Sequence, residues 1–348
     1  MGSTSTAPPH YQPYLTRVPT NNESNTVKLL KTIPSTTTIT KPLPQLSEKL
    51  IDQTNYVTHQ IHQLYQLSTD ELGHSTLGHK VITSHDKYIA TEYNSDLLYG
   101  EILPIGVTRA FDSQHLNVSS AHTLCDLGSG LGKLAIQAFL QYPNLQRVVG
   151  VELSYARCEL GFDAIRRMNN KLTNKYGIDT TCDNTIQCNI YNNTEFDEMS
   201  DANRDDNNQQ HNTNESKESY CDTSYTSTHI HRRVGTNGVR TLELRQGDML
   251  QCTDAWSADI IICETKLPNE RYIDWCRFLS QCKHGCKILT YEDLDSIWNN
   301  ITNNPITCSL LGSNPYTKLS INISTTDRFE TSWSIVNGAH FHLYRKTS

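Results

Sequence analysis

The sequence predicts an α/β fold with a doubly wound, mostly parallel sheet, and three observations support this prediction. Short apolar runs of strand length alternate along the chain with longer segments of helical periodicity. The predicted strands occupy residues 122–126, 147–152, 241–247, 258–264 and 285–291, and the predicted helices 133–142, 154–172 and 269–283. A glycine-rich turn joins the first strand to the first of these helices, as in nucleotide-binding sheets. The last two apolar segments, 319–336 and 339–346, follow each other without a helix and predict an antiparallel finish.

The glycine turn indicates the kind of ligand. Residues 126–132 read Asp-Leu-Gly-Ser-Gly-Leu-Gly, whereas a dinucleotide site has the spacing G-x-G-x-x-G. Asp126, at the strand end, would repel a pyrophosphate and attract an ammonium group. Glu152, which ends the next strand, can accept hydrogen bonds from ribose hydroxyls. An ammonium and a ribose without phosphate describe S-adenosylmethionine, so the pattern predicts a methyltransferase; a turn without ligand, or a dinucleotide site, is the alternative.

Further motifs lie on both sides of this turn. Tyr-Gly-Glu precedes it at 99–101, Gly-Val-Glu follows at 150–152, a strand is predicted at 258–263, and Thr-Ser-Trp occupies 331–333 before Phe-His-Leu-Tyr at 341–344. With the glycine turn and the helix 134–141, these motifs resemble the disruptor-of-telomeric-silencing family of histone-lysine methyltransferases, which have no SET domain. The resemblance covers about residues 95–345 without the insertion described below. It implies a Rossmann-like class I methyltransferase fold.

The resemblance also implies a set of site residues by matching position. The family's cofactor loop falls on residues 99–102, its glycine turn on 124–133, its ribose acid on Glu152, and its adenine acid and stacking residue on Asp248 and Met249. The implied cofactor residues are Tyr99, Gly100, Glu101, Ile102, Asp126, Gly128, Ser129, Gly130, Gly132, Lys133, Glu152, Asp248 and Met249. The expected catalytic residues are Tyr99, Glu264 and Thr265.

The chain departs from the family around the transferred methyl group. The family has paired asparagines and aromatic residues after its fourth strand, where this chain has Glu-Thr-Lys-Leu-Pro at 264–268. A channel that admits an uncharged amine is expected from Tyr99, this segment, Trp333 and Phe341. Glu264 is interpreted as a general base or a cation anchor, or else as a strand-end acid that faces solvent. Trp333 and Phe341 can equally be plain core residues.

Composition limits the possible partners. The chain has 348 residues, a formal net charge of −7 and 36% hydrophobic residues. A net-acidic chain has no general attraction to nucleic acid, but contact with basic histones is compatible with it. No apolar run reaches 18 residues and the N-terminus lacks the apolar core of a signal peptide, so an intracellular protein without a membrane span is expected. The family resemblance implies the nucleus; the cytoplasm is the alternative.

Eleven cysteines are scattered along the chain, which is typical of reduced thiols rather than a disulfide framework. The group Cys276, Cys282, His284 and Cys286 has zinc-like residue types. Its spacing lacks a second paired half, so we expect buried thiols and no metal site.

Three segments of different character are predicted. Residues 1–46 are rich in Thr, Pro, Ser and Asn and are expected to form a disordered tail. Residues 47–94 contain apolar residues at helical spacing and predict a helical lead-in. The methyltransferase domain is expected to span 95–348, with a disordered polar insertion at about 178–238 that a surface loop can accommodate.

Three functions are compatible with the sequence. The first is a protein-lysine methyltransferase, with a nucleosomal histone as the substrate that the resemblance favours. The second is a methyltransferase acting on another protein or a small molecule, which the Glu-Thr-Lys-Leu-Pro segment and the absence of long basic segments favour. The third is a cofactor-binding module without catalysis, against which the intact glycine turn and both acids argue.

Overall fold

A computed structural model describes residues 43, 45–93, 97–176, 225–235, 238–303, 309, 311–319 and 328–347. Most of the predicted tail and most of the predicted insertion lie outside the described residues. The helices are α1 Glu48–Tyr65, α2 Leu77–Lys80, α3 Ser84–Glu92, α4 Pro104–Phe111, α5 Lys133–Gln141, α6 Tyr155–Tyr176, α7 Tyr272–Ser280 and α8 Leu294–Thr302. The strands are β1 Thr123–Leu127, β2 Arg147–Glu152, β3 Tyr225–Gly235, β4 Gly238–Gly247, β5 Ile260–Cys263, β6 Lys287–Thr290, β7 Tyr316–Lys318, β8 Arg328–Thr331, β9 Ser334–His340 and β10 His342–Lys346.

The main sheet confirms the predicted α/β class. Its strand order is β3-β4-β2-β1-β5-β6-β10-β7, and the strands from β4 to β6 in this order are parallel. The chain leaves β1 in one direction to form β2 and β4 and later continues on the other side of β1 with β5 and β6. The carboxyl ends of β1, β2 and β5 therefore flank a topological switch point, where ligands bind in open α/β sheets.

The two sides of the sheet carry separate apolar cores. Helices α1, α4, α5 and α6 contribute to one core, which includes Phe111, Phe139 and Phe162. Helices α7 and α8 contribute to the other, which includes Trp275 and Trp298. Free cysteines are buried in these layers at Cys125, Cys158, Cys252, Cys263, Cys276, Cys282 and Cys286. Within the described part of the chain, no group of three His, Cys, Asp or Glu side chains could hold a metal ion.

Strand β3 was not expected, because it lies inside the segment predicted to be a disordered insertion. It pairs antiparallel with β4 from the Tyr225–Gly247 pair to the Gly235–Gly238 pair. The strand could not be predicted from an apolar pattern, because most of its side chains are polar. Backbone hydrogen bonds to β4 hold it in the sheet. Two histidines cover the helix layer: His229 stacks on Phe162 and His231 contacts the edge of Phe139. Part of the segment predicted to be a disordered insertion is therefore a strand of the main sheet.

The end of the chain also differs from the prediction. Strand β10 is antiparallel to β6, as expected, but its other neighbour in the sheet is the short strand β7. Strands β8 and β9 instead form a separate hairpin. The hairpin turns back at Ser332 and Trp333, and an isolated bridge between Ile102 and Thr331 attaches it to the loop before α4.

The helical lead-in packs on the main domain. In α1 the buried residues Val57, Ile61 and Leu64 share the core beneath α5 and α6. The hydroxyl of Tyr65 donates a hydrogen bond to the backbone oxygen of Leu131 inside the glycine turn. None of the helices among the described residues has the length and apolar character needed to span a membrane.

Candidate cofactor and active site

A cavity of about 510 Å³ lies at the carboxyl ends of β1, β2, β4 and β5. The loop 97–102 and the Ser332–Trp333 turn of the hairpin form its opposite wall. Every site residue expected from the sequence lines this cavity except Gly132: Tyr99, Gly100, Glu101, Ile102, Asp126, Gly128, Ser129, Gly130, Lys133, Glu152, Asp248, Met249, Glu264 and Thr265. The fold therefore brings together groups that are up to 166 residues apart in the chain, from Tyr99 to Thr265.

The glycine turn forms the floor of the cavity. Gly128 and Gly130 have φ values of +77° and +56°, in the left-handed region that glycine adopts without strain. The amides of Gly128 and Ser129 both donate to the backbone oxygen of Val151, which fixes the turn against the end of β2. Gly132 has a different role from the other two glycines. It lies behind the turn, where an added Cβ would be 2.6 Å from Leu244. It allows α5 to approach the sheet.

Tyr99 is held between two glycines. An added Cβ would be 2.3 Å from its Cζ at Gly78 and 2.5 Å from its Cε2 at Gly130. The guanidinium of Arg157 lies 4.6 Å from the ring centroid. The neighbouring Gly100 leaves room for Trp333, whose Cζ3 would be 2.0 Å from a Cβ there. The Tyr-Gly-Glu sequence is thus needed for close packing on both of its sides.

The two acids expected at the cofactor are both buried, but only one is fully hydrogen-bonded. Glu152 accepts from the backbone amide of Gly130 through Oε2 (2.9 Å) and from that of Ser154 through Oε1 (3.0 Å). Asp126 Oδ2 is buried, and none of the described residues offers it a hydrogen bond. Burial, and then the negative charge of Glu152, raise the pKa of Asp126 from its ordinary 3.8 to about 7. A buried acceptor without a partner at the cavity wall fits a cationic ligand group.

A second polar group joins the cofactor loop to α5. Lys133 Nζ lies 2.9 Å and 3.0 Å from the two carboxylate oxygens of Glu101. The hydroxyl of Tyr99 donates to the same carboxylate at 2.5 Å. The Lys133 ammonium also lies 5.7 Å from the ring centroid of Tyr65 in the lead-in.

The segment after β5 contributes an acid that is hydrogen-bonded to the loop 97–102. Glu264 Oε2 accepts from the backbone amide of Ile102 at 3.1 Å. Burial, followed by the charges of Asp126 and Glu101, raises the pKa of Glu264 well above its usual range. Thr265 lies against the glycine turn, where a Cβ on Gly128 would be 1.9 Å from its Oγ1. Glu264 is therefore not a strand-end acid on the open surface.

Asp248 and Met249 lie at the end of β4 as expected, but Asp248 has an additional partner. Its Oδ1 accepts from the amide of Leu250 (2.9 Å), and its Oδ2 pairs with the Arg271 guanidinium (2.8 Å). The Arg271 guanidinium also lies 6.0 Å from the ring centroid of Tyr93. Both carboxylate oxygens of Asp248 are thus positioned before any ligand is considered.

The sequence did not point to several lining residues. These are Gly73, His74, Tyr93, Leu97, Leu98, Leu153, Arg157, Arg271 and Tyr291. Gly73, His74 and Tyr93 lie in the lead-in and Arg157 lies on α6, where no sequence pattern marks a residue as part of a site. Of the two aromatic residues proposed for the channel, Trp333 lines the cavity, whereas Phe341 is fully buried against Phe329 and Tyr291.

Comparison with known families supports the interpretation of the site. The model of the histone methylation protein DOT1 matches residues 79–204, which include the cofactor loop, the glycine turn and the acid of β2. Over this part the chain is similar to that family. The match and the site geometry identify an S-adenosylmethionine-dependent methyltransferase.

The other comparisons add little to this match. Curated proteins give no match to the sequence. Among solved structures, an O-methyltransferase from Bacillus cereus in complex with SAH is 10% identical with a TM-score of 0.33, covering 88% of this chain and 92% of its own. A methyltransferase from Geobacter sulfurreducens is 11% identical with a TM-score of 0.30, covering 76% of this chain and 88% of its own. Scores this low carry no argument about activity.

Proposed function

We propose that the enzyme methylates a lysine side chain of a nucleosomal histone. The observation that carries this proposal is an acid-lined cavity, with an unpaired Asp126 oxygen and Glu264 on one wall, in a chain that the DOT1 histone methylation model matches. Both the cofactor and a lysine substrate are cations at neutral pH. Carboxylates in a partly desolvated cavity attract such ligands more strongly than surface carboxylates do.

The cofactor would lie across the ends of β1, β2 and β4. Asp126 is suited to its ammonium, Glu152 to its ribose hydroxyls, and Asp248 with Met249 to its adenine. The glycines at 128 and 130 allow the backbone to approach it closely. When bound, S-adenosylmethionine supplies an electrophilic methyl group on a sulfonium. Tyr99 and Glu101 would then close the site from the loop side.

The substrate lysine would enter between the loop 97–102, Trp333 and the Glu264–Pro268 segment. Its ammonium, with an ordinary pKa near 10.4, has no lone pair and must lose a proton. We assign Glu264 as the acceptor of that proton, because its raised pKa makes it a stronger base than a surface carboxylate. The amine nitrogen then forms the new N–C bond while the S–C bond breaks and sulfur keeps the electron pair. Thr265 would help to shape the wall beside the glycine turn.

The proposed substrate also implies where the protein acts. A histone substrate implies the nucleus, and the acidic chain is complementary in charge to basic histones. The nucleosomal DNA is negatively charged, so contact with it needs a local positive region. Residues 1–49 carry five basic and two acidic residues. We propose that this arm or a partner protein supplies that contact.

The proposal is tested by offering three substrates side by side. Nucleosomes, free core histones and a cell extract are incubated with the enzyme and labelled cofactor, and the products are identified by mass spectrometry. We expect methylated lysine on a core histone, and no product from the Asp126→Ala variant. Label that enters only other proteins or small molecules would contradict the histone assignment and leave the methyltransferase assignment intact.

A second substrate class has one observation in its favour. The Glu264–Pro268 segment differs from the amide and aromatic residues that the family has there, and Lys266 on it is exposed beside the cavity. A cation at this position favours a substrate with an acidic group close to the methylated atom. The extract arm of the experiment above detects such a substrate.

Cofactor affinity should depend on pH through Asp126. We expect affinity to rise as pH increases through about 7, where the Asp126 carboxyl ionises, and to fall above about 8, where the cofactor's α-amino group loses its proton. Because the pKa of Asp126 is raised in the folded protein, its neutral form stabilises the folded, cofactor-free protein at low pH. This contribution to the free energy of unfolding is lost as pH rises through about 7. The cofactor's ammonium offsets the loss. Calorimetric titrations between pH 5.5 and 9 measure this, and the rise should be absent in Asp126→Asn.

A further inference from the structure

Arg157 is a buried cation that the assignment of the cofactor site does not use. It lies in the first turn of α6, five residues after Glu152, and its residue exposure is only 4%. Burying a guanidinium is costly unless its donors are paired. The partners of Arg157 therefore indicate what the residue is for.

Those partners belong to three different segments that meet at the cavity. Nε donates to the backbone oxygen of Gly78 in α2 at 3.0 Å, and Nη2 to that of Leu97 at 2.7 Å. The face of the guanidinium covers the ring of Tyr99 at 4.6 Å. Nη1 lies 3.5 Å from Oε1 of Glu152, the one carboxylate paired with Arg157 among the described residues.

We propose that Arg157 is a positioning residue for the cofactor, which sets Glu152 and Tyr99 in their relative places. The proposal rests on the cofactor site proposed above. Through one planar side chain, the ribose acid at the end of β2 and the loop that closes the site are held to the same element. The rigid, planar guanidinium can donate hydrogen bonds to partners in three directions at once, and a lysine ammonium cannot reproduce this geometry.

Glu152 is also held from its other side. Ser154 donates its backbone amide to Glu152 Oε1 and its hydroxyl to Asp86 Oδ1 at 2.8 Å. Asp86 is buried and caps α3, where it accepts from both the amide and the hydroxyl of Thr83. The lead-in helices thus reach Glu152 through Asp86 as well as through Gly78. The lead-in is accordingly part of the cofactor site and not a separate layer.

The test is a double-mutant cycle on cofactor affinity in the full chain. Arg157→Lys, Glu152→Gln and the double variant are titrated with S-adenosylmethionine by calorimetry, and their Tm values are measured. Arg240→Lys is the matched control, because Arg240 is also buried, donates to the backbone oxygens of Leu145 and Tyr142, and covers the ring of Phe139 at 4.3 Å, away from the cavity. It measures the effect of losing a buried guanidinium that is not near the cofactor.

We expect Kd to rise about tenfold in Arg157→Lys and about tenfold in Glu152→Gln, but only about 10–20-fold in the double variant, because Arg157 acts through Glu152. Arg240→Lys should lower Tm by a similar amount and leave Kd unchanged. A Kd unchanged in Arg157→Lys while Tm falls as in the control would show that Arg157 is only structural. An additive cycle would show that Arg157 does not act through Glu152, which also overturns the proposal. If Glu152→Gln itself leaves Kd unchanged, the proposed cofactor site is wrong, which is a different failure.

Discussion

Replacement of Gly130 by alanine is expected to abolish most cofactor binding. Gly130 has a φ of +56°, where an alanine costs about 1–2 kcal/mol. Its Cβ would be 2.5 Å from the Tyr99 ring, which Gly78 holds from the other side, so relief of the contact costs about 1–3 kcal/mol more. These costs lower the stability of the folded protein, and the shift of Tyr99 or of the turn that relieves the contact displaces groups that line the cavity. We therefore expect a Kd for S-adenosylmethionine that is higher by roughly 100-fold. Calorimetry measures the Kd, and product formation should fall with it.

Gly238→Ala is the matched control for this variant. Gly238 also has a positive φ, +99°, but no atom lies within 4 Å of its added Cβ, and it is the first residue of β4, away from the cavity. We expect a lower Tm and an unchanged Kd. Equal losses of affinity in the two variants would show that backbone strain alone, and not the packing of Tyr99 on the glycine turn, limits binding.

The sequence was informative where the site is local in the chain. Asp126, the glycine turn and Glu152 lie within 27 residues, and strand, turn and helix signals fix their order. Once β1 and β2 are recognised as parallel neighbours, their ends must lie at one edge of the sheet. This is why the floor of the cavity was anticipated from residue types and spacing.

The sequence was not informative where the site depends on distant backbone groups. Arg157 donates to the backbone oxygens of Gly78 and Leu97. Every residue has a backbone oxygen, so the sequence does not show which of them an arginine will contact. Arg271 reaches Asp248 from the position just before α7, where nothing in the sequence distinguishes it from an ordinary surface arginine. Strand β3 was missed for a similar reason, because its pairing with β4 depends on backbone groups while its side chains are polar.

Glu264 is the clearest case of a residue that was noticed but could not be interpreted from sequence alone. At the end of a strand, an acid either faces solvent or faces the site. The choice depends on Ile102, whose amide donates to Glu264 from a segment 162 residues away. This hydrogen bond holds one carboxylate oxygen and leaves the acid at the cavity wall, next to the charges of Asp126 and Glu101.

Glu264→Gln should therefore reduce catalysis without loss of cofactor. The glutamine oxygen can still accept the Ile102 amide, so the loop and the cavity keep their shape, but the amide cannot take a proton from the substrate ammonium. We expect kcat to fall by about 100-fold, within the range known for loss of a general base, while the Kd of S-adenosylmethionine stays within about twofold of the parent value. Single-turnover methyl transfer measures the first quantity and calorimetry the second.

The pH profile and a neighbouring acid make this test specific. The parent rate should rise with pH as Glu264 ionises and then level off. The variant rate should instead keep rising towards the ordinary lysine pKa of about 10.4, because only solvent then removes the proton.

Glu292→Gln is the matched control. Glu292 also accepts a hydrogen bond from a backbone amide of the same segment, that of Leu267, and burial raises its pKa too. Glu292 does not line the cavity. Its kcat should be unchanged. An equal fall in kcat for both variants, or a variant profile that levels off with the parent's, would mean that Glu264 supports the segment and takes no proton.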